Sequence, residues 1–168
     1  MIDSQCRLLA VTRDARTNDE VLFDLAYISY DRTPCRWNGP AKFVESGNLE
    51  KAAEVCYDIG ADFIFVDVEK PDDPALLRMV RRSMRELKLE LSLCGCPFRF
   101  LPRKRWLSYL PPYIPREAVG KHHTAEALLY AVILSKFPID RNALTVEAAL
   151  CNLNDLYRFD IPEVEAVL

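Results

Sequence analysis

Residues 62–69, DFIFVDVE, form the most strand-like segment of this 168-residue sequence. Apolar side chains run almost without interruption from Phe63 to Val68, which is typical of a strand covered on both faces. Pro71 and Pro74 then end the strand and start the next helix. We therefore expect a central strand of a sheet, with acidic residues at its carboxyl end.

The segments before this strand predict a hairpin and a helix. RLLAV (7–11) and VLFDLAYIS (21–29) are apolar runs separated by a polar turn, as in a β-hairpin. Residues 30–47 contain Pro34, Gly39, Pro40 and Gly47 and predict a loop, with one short strand near 42–44. Four residues with helical spacing precede a glycine at the position of a C-terminal cap: Leu49, Ala52, Cys56, Ile59 and then Gly60.

After the central strand, residues 74–92 predict an amphipathic helix. One face is an apolar stripe made of Leu76, Val80, Met84, Leu87 and Leu91. The opposite face is basic and contains Arg78, Arg81, Arg82, Arg85 and Lys88. FRFL (98–101) predicts a short strand, and PRKRWLSYL with PPYIP predicts a connection to a helix over 122–136. A last helix is expected near 145–157.

This order of elements predicts an α/β domain with a mixed five-stranded sheet and helices on both faces. The layout is similar to RNase H-like folds, and the pattern leaves other α/β folds open. We expect one compact domain, with residues 1–136 as the core and 137–168 as a C-terminal helical extension.

Charge is strongly segregated along the chain. Residues 1–73 contain eight Lys/Arg and fifteen Asp/Glu, a net charge of −7. Residues 74–121 contain eleven Lys/Arg and three acids, a net of +8, and residues 137–168 contain two Arg and six acids, a net of −4. A basic block in an acidic chain predicts a local site for a polyanion, because the distant acids are screened beyond a Debye length. A merely solvated charged helix is the alternative.

The remaining composition predicts a soluble protein of the cytoplasm or another intracellular, reducing compartment. The six cysteines are scattered without metal-type pairs, so we expect buried, reduced thiols. No apolar run is long enough for a membrane span, and the first residues lack the features of a signal peptide.

Three short segments in this order carry a resemblance to a known family. They are VEKP (68–71), PRKRW (102–106) and HTAE (123–126). The series resembles the RuvC family of Holliday-junction resolvases, especially its phage-type relatives, over roughly residues 7–136. These relatives share a strand ending in Glu, a later Pro-x-x-x-Trp-like segment, and a helix with an acid or His three residues before an acid.

The resemblance implies a metal-dependent nuclease site. Glu69 would be the strand ligand and Glu126 the helix ligand of two Mg²⁺ (or Mn²⁺) ions, which prefer carboxylate oxygens and activate the attacking water. His123 would ligate a metal or transfer a proton. It also implies a homodimer, because a four-way junction presents two symmetric cuts.

The chain departs from the family at the end of the first strand. The family has an Asp there that binds both metal ions, and LLAVTRD places Thr12 at this position. A threonine hydroxyl cannot supply the bridging negative charge, so Asp14 or Asp67 is expected to substitute for it as a metal ligand.

Three functions remain open on the sequence. The first is a divalent-metal-dependent endonuclease that acts in DNA recombination. The second is a domain that binds branched or duplex DNA without cutting it. The third is an assembly protein that contacts partners through its acidic C-terminal helix. Thr12 favours the second over the first. A set of basic residues favours DNA binding over the third: Arg78, Arg81, Arg82, Arg85, Lys88, Arg103, Lys104, Arg105 and Lys121. Glu69 also fits an ordinary strand-end carboxylate, and His123 with Glu126 fits a solvated first helical turn.

Overall fold

A computed structural model describes residues 5–32, 35–37, 42–95, 97–110 and 124–134 of the chain. Within these ranges the elements alternate between strands and helices after an initial run of strands. In chain order they are β1 (Gln5–Arg13), β2 (Phe23–Arg32), β3 (Cys35–Trp37), β4 (Lys42–Gly47), α1 (Leu49–Ile59), β5 (Phe63–Val68), α2 (Pro74–Cys94), β6 (Phe98–Pro102), α3 (Arg103–Leu107) and α4 (Thr124–Leu134).

The strands form one mixed sheet with five positions in the order β3-β2-β1-β5-β6. The hairpin β1–β2 is antiparallel, whereas β5 pairs parallel with both β1 and β6. The edge position beside β2 is shared by two short strands, since β4 pairs with residues 23–27 of β2 and β3 pairs with residues 30–32. Parallel pairing brings the carboxyl ends of β1, β5 and β6 to the same edge of the sheet.

Local capping chemistry defines the ends of α1 and α2. The side chain of Asn48 accepts a hydrogen bond from the backbone N–H of Lys51, and that of Asp73 accepts one from Ala75. Both helices end at a glycine in the left-handed region, Gly60 with φ 64° and Gly95 with φ 74°. A residue with a Cβ would be strained at these positions.

Helices α1 and α2 cover one face of the sheet. The apolar stripe of α2 is buried in a cluster with Leu9 and Val11 of β1 and Ile64 and Val66 of β5. Because alternate residues of a strand face opposite sides, Thr12 and Asp67 belong to the other face.

Helix α4 covers the second face, where it contacts β1, β2 and β5. Its side chains from residue 124 to residue 132 are all buried, as expected for a helix that is apolar around its whole circumference. None of the helices in the described ranges is long and apolar enough to span a membrane.

The mixed α/β sheet, the hairpin, the start of α2 at Pro74 and its buried stripe confirm the predictions, while α2 ends at Cys94, two residues beyond the predicted end. Two predictions need correction. The segment after β6, predicted as a connection, begins with the short helix α3, which buries Trp106. The stretch 30–47, predicted as a loop with one short strand, contains β3, β4 and the end of β2. The predicted extension 137–168, with its helix near 145–157, lies outside the described residues.

Replacement of Leu87 by alanine tests the packing of α2 on the sheet. Leu87 is fully buried in the cluster, so Leu87→Ala should lower the free energy of unfolding by about 3 kcal/mol through lost burial and a residual cavity. Leu89 lies on the same helix but is 67% exposed, so Leu89→Ala should change it by less than about 0.5 kcal/mol. Urea unfolding followed by circular dichroism measures both; equal losses would contradict the packing of the stripe.

Candidate functional site at the carboxyl edge of the sheet

The candidate site forms where β1 and β5 end side by side. The register of these parallel strands pairs Val11 with Val66. The next residues in each strand, Thr12 and Asp67, therefore follow at the same level and on the same face. Both side chains are fully buried.

The carboxylate of Asp67 is held by two side chains of α3. Arg103 donates to it from Nη2 at 2.5 Å and from Nε at 3.2 Å, both measured to Oδ2. The indole Nε1 of Trp106 donates to Oδ1 at 2.8 Å. Burial raises the pKa of Asp67, and the Arg103 charge and the two donors oppose this rise without cancelling it.

Glu69, just beyond the end of β5, is held mainly by Arg13 of β1. The guanidinium of Arg13 makes a bidentate contact, with Nη2 to Oε1 at 2.6 Å and Nε to Oε2 at 3.0 Å. Arg103 also reaches Glu69 Oε2 at 3.4 Å, so its Nη2 bridges the two carboxylates. The Arg13 side chain is only 5% exposed and that of Glu69 is 12% exposed, which makes this an ion pair largely removed from water.

Asp14 follows the end of β1 and belongs to a separate ion pair. Its carboxylate accepts hydrogen bonds from the side chain and the backbone N–H of Arg16, each at 2.9 Å. The hydrogen bond from the Arg16 side chain holds the pKa of Asp14 below its ordinary value. Asp14 is thus paired with an arginine only two residues further along the chain.

Thr12 and Glu126 are the two remaining described residues of the predicted site. The Thr12 hydroxyl is buried and has no hydrogen-bond partner among the described residues. Glu126 is 2% exposed on α4, so the alternative of a solvated first helical turn is wrong for this residue. His123 and Lys121 lie outside the described residues.

A basic groove of about 830 Å³ begins beside Glu69 and follows α2. Its lining includes apolar residues, among them Val80, Met84 and Phe100. Its cationic lining consists of Lys70, Arg78, Arg81, Arg82, Arg85 and Lys88. The five residues predicted from the helical face thus line one concave surface together with Lys70, which the helical pattern could not include.

The basic residues of α3 divide into two kinds. Arg103 is part of the ion pairs with Asp67 and Glu69, and its side chain is 22% exposed. Lys104 and Arg105 are exposed. Their assignment to DNA contact, like the catalytic and metal-ligand roles assigned from the sequence, stays a prediction.

Sequence analysis missed the two arginines as partners of the acidic residues. Arg13 directly follows Thr12, and Arg103 directly follows β6, so both positions at strand ends were visible in the sequence. The pairing of Arg13 with Glu69 depends on the register of β1 against β5, and that of Arg103 with Asp67 on the pairing of β5 with β6. No local pattern specifies either. Trp106, the tryptophan of the PRKRW segment, is fully buried, and its indole N–H donates to Asp67.

Comparison with solved structures identifies the architecture. RuvC of Thermus thermophilus in complex with a Holliday junction substrate superposes with a TM-score of 0.52 at 10% sequence identity, covering 77% of this chain and 94% of that one. The chain has the RNase H-like fold of RuvC. A second Thermus thermophilus RuvC structure matches with a TM-score of 0.43 at 9% identity, covering 87% of this chain and 89% of that one. No protein-family model matches the chain, and no curated protein sequence matches it.

The described residues of this RuvC-type fold do not fit a two-magnesium site. Mg²⁺ needs carboxylate oxygens that are free to coordinate it, and the oxygens of Asp67 and Glu69 accept hydrogen bonds from guanidinium groups instead. Thr12 supplies a neutral hydroxyl at the strand end. Within the described ranges, no three His, Cys, Asp or Glu side chains form a group that could hold a metal ion.

Replacement of Asp67 by asparagine tests whether its charge holds the edge of the sheet together. Asp67→Asn should lower the free energy of unfolding by about 3 kcal/mol, because Arg103 loses its main buried counter-charge. Asp72→Asn is the matched control, since Asp72 is exposed, and it should change stability by less than about 0.5 kcal/mol. Chemical denaturation at neutral pH measures both variants; a loss for Asp67→Asn as small as that of the control would show that the ion pair contributes nothing.

Proposed function

We propose that this chain binds branched DNA through the basic groove beside α2, as a RuvC-like protein that does not need to cut the DNA it holds. The observation that supports binding most strongly is the groove itself. It brings six cationic side chains to one concave surface that ends at the carboxyl edge of the sheet.

The charges of the groove are available to a polyanion. Arg78, Arg81 and Arg85 are exposed on α2. Arg82 makes an ion pair with Glu86 at 3.4 Å, but the two side chains are 79% and 49% exposed. Such an exposed pair contributes little and is readily exchanged for a phosphate contact.

The length of the basic surface fits several phosphates of one strand. From Arg78 to Lys88 the helix rises about 15 Å, at about 1.5 Å per residue. One DNA strand carries a charge every 3.4 Å or so along the axis, so about four phosphates lie along this length. These contacts would give affinity and orientation without reading the base sequence.

Branched DNA is the proposed form of the ligand because of the structural neighbour. The Thermus thermophilus RuvC structure with the same fold contains a Holliday junction substrate. A fold does not by itself determine a function, so the groove of this chain carries the proposal and the neighbour supplies the class of DNA to test.

Cleavage is the alternative function, with Mg²⁺ or Mn²⁺ as cofactor and Glu69, His123 and Glu126 as the catalytic residues. The ion pairs of Glu69 and Asp67 with arginines favour binding without cleavage. A labelled four-way junction incubated with the protein and either cation distinguishes the two functions when binding and cleavage are scored separately.

A double substitution in the groove tests the binding surface. Arg81→Gln with Arg85→Gln should weaken junction binding about tenfold at physiological salt, given about 0.7 kcal/mol for each lost phosphate contact. The slope of log affinity against log salt concentration should fall by about 2. Gel retardation or fluorescence anisotropy over a salt series measures both quantities.

The matched control removes the same charge elsewhere. Lys51 of α1 and Arg99 of β6 are exposed and do not line the groove. Lys51→Gln with Arg99→Gln should leave the salt slope of the wild type unchanged. Equal loss of affinity in the two double variants would mean that net charge alone, and not the groove, determines binding.

A homodimer belongs to the same proposal, because a two-fold protein matches the two-fold symmetry of a four-way junction. Leu89 and Leu93 are large apolar side chains of α2 that are 67% and 82% exposed. We expect two chains per junction in multi-angle light scattering of the complex. A complex with one chain, stable at micromolar concentration, would argue against the dimer.

A further inference from the structure

The two acidic residues at the carboxyl edge of the sheet are each matched by a guanidinium group. Arg13 binds both carboxylate oxygens of Glu69, and Arg103 binds Asp67 and bridges to Glu69. This four-residue set, Arg13, Asp67, Glu69 and Arg103, is called the arginine cluster below. Its two positive and two negative charges balance without any added ion.

Because the cluster is largely buried, each of its charges needs a partner of opposite charge within the protein. Asp67 is fully buried, and Arg13 is 5% exposed. A buried charge is tolerated only when it is paired and hydrogen-bonded. The Arg13 Nη1 donor that faces away from Glu69 is also used, by the backbone oxygen of Thr17 at 3.1 Å. Arg13 is therefore held on both sides and is not a mobile surface side chain.

A divalent cation would have to displace these arginines. It would compete for the same carboxylate oxygens and would lie within a few ångströms of the guanidinium of Arg13, whose side chain is only 5% exposed. The two positive groups would repel each other strongly in this poorly solvated region. The neutral hydroxyl of Thr12, next to Asp67 at the edge of the sheet, adds no negative charge to offset that repulsion.

We propose that Arg13 and Arg103 occupy the position of metal ions in this chain, so that the carboxyl edge of the sheet is locked by ion pairs and binds no divalent cation. The lock joins β1, β5 and α3, and it fixes Glu69 at the mouth of the basic groove. Arg13 and Arg103 act as positioning residues. The proposal rests on the contacts of the cluster and not on the proposed binding of DNA.

The test uses Mn²⁺ alone as the probe, with the full chain and no DNA. Free Mn²⁺ is measured by its paramagnetic resonance signal while protein is titrated in. The wild type should show no saturable binding up to about 5 mM, a concentration above the roughly millimolar Kd of the weakest protein sites for Ca²⁺. Saturable binding by the wild type that is lost in Glu69→Gln would overturn the proposal.

Arginine variants supply the second half of the test. Arg103→Met, alone and with Arg13→Met, removes the competing cation while the carboxylates remain, so Mn²⁺ affinity should rise at least about tenfold over the wild type. A ligand that binds only the folded state stabilises it, so Mn²⁺ should raise the Tm of these variants by several degrees and leave that of the wild type unchanged. Arg81→Met, which removes an arginine of the groove, is the control and should gain no affinity.

Each remaining outcome is decisive. Folded arginine variants that gain no Mn²⁺ affinity would overturn the proposal, because the arginines would then not be what excludes the metal. If the double variant does not fold, the single variant and the comparison of the wild type with Glu69→Gln give the result without it.

Discussion

The buried carboxylate of Asp67 constrains the structure around it, because a charge without solvent must be matched by donors in place. Arg103 and Trp106 provide them from a single short helix. That helix follows β6 directly, and β6 is the parallel neighbour of β5. The buried Asp67 thus fixes the position of α3 and the path of the chain after β6. It also fixes the guanidinium of Arg103, which contacts Glu69 as well.

The arginines of this chain fall into two groups that differ in solvation. Arg13 and Arg103 have their guanidinium groups among carboxylates, with side chains 5% and 22% exposed. The arginines of α2 extend from a helix whose other face is buried. The first group stabilises the fold through pairs that are costly to break. The side chains of the second group are exposed, and the ion pair of Arg82 with Glu86 is also exposed to solvent. Net charge, which is −3 for the chain, conceals this division entirely.

The chain shares the RNase H-like fold of RuvC although few of its residues are the same. Only 10% of residues are identical in the superposition with the Thermus thermophilus protein, while the layered arrangement of sheet and helices is kept. Packing requires apolar residues at the right period, and many sequences satisfy that requirement. A metal centre requires particular ligands at particular positions, so the chemistry of the edge can change while the layers persist. In this chain the edge holds Thr12 and the ion pairs of Arg13 and Arg103 with Glu69 and Asp67.

Local pattern in the sequence determined the hairpin, the caps of α1 and α2, the buried stripe of α2 and the central place of β5. Each depends on residues within a few positions of one another, so periodicity and capping chemistry suffice. The sequence also located the acidic residues at the strand end and the basic face of α2.

Only the tertiary structure decided what these charges do. The register of β1 against β5 brings Arg13 to Glu69, and the turn after β6 brings Arg103 to Asp67, over separations of 56 and 36 residues. Such pairings depend on how strands align in space, and a one-residue shift in register would have directed Arg13 to the opposite face.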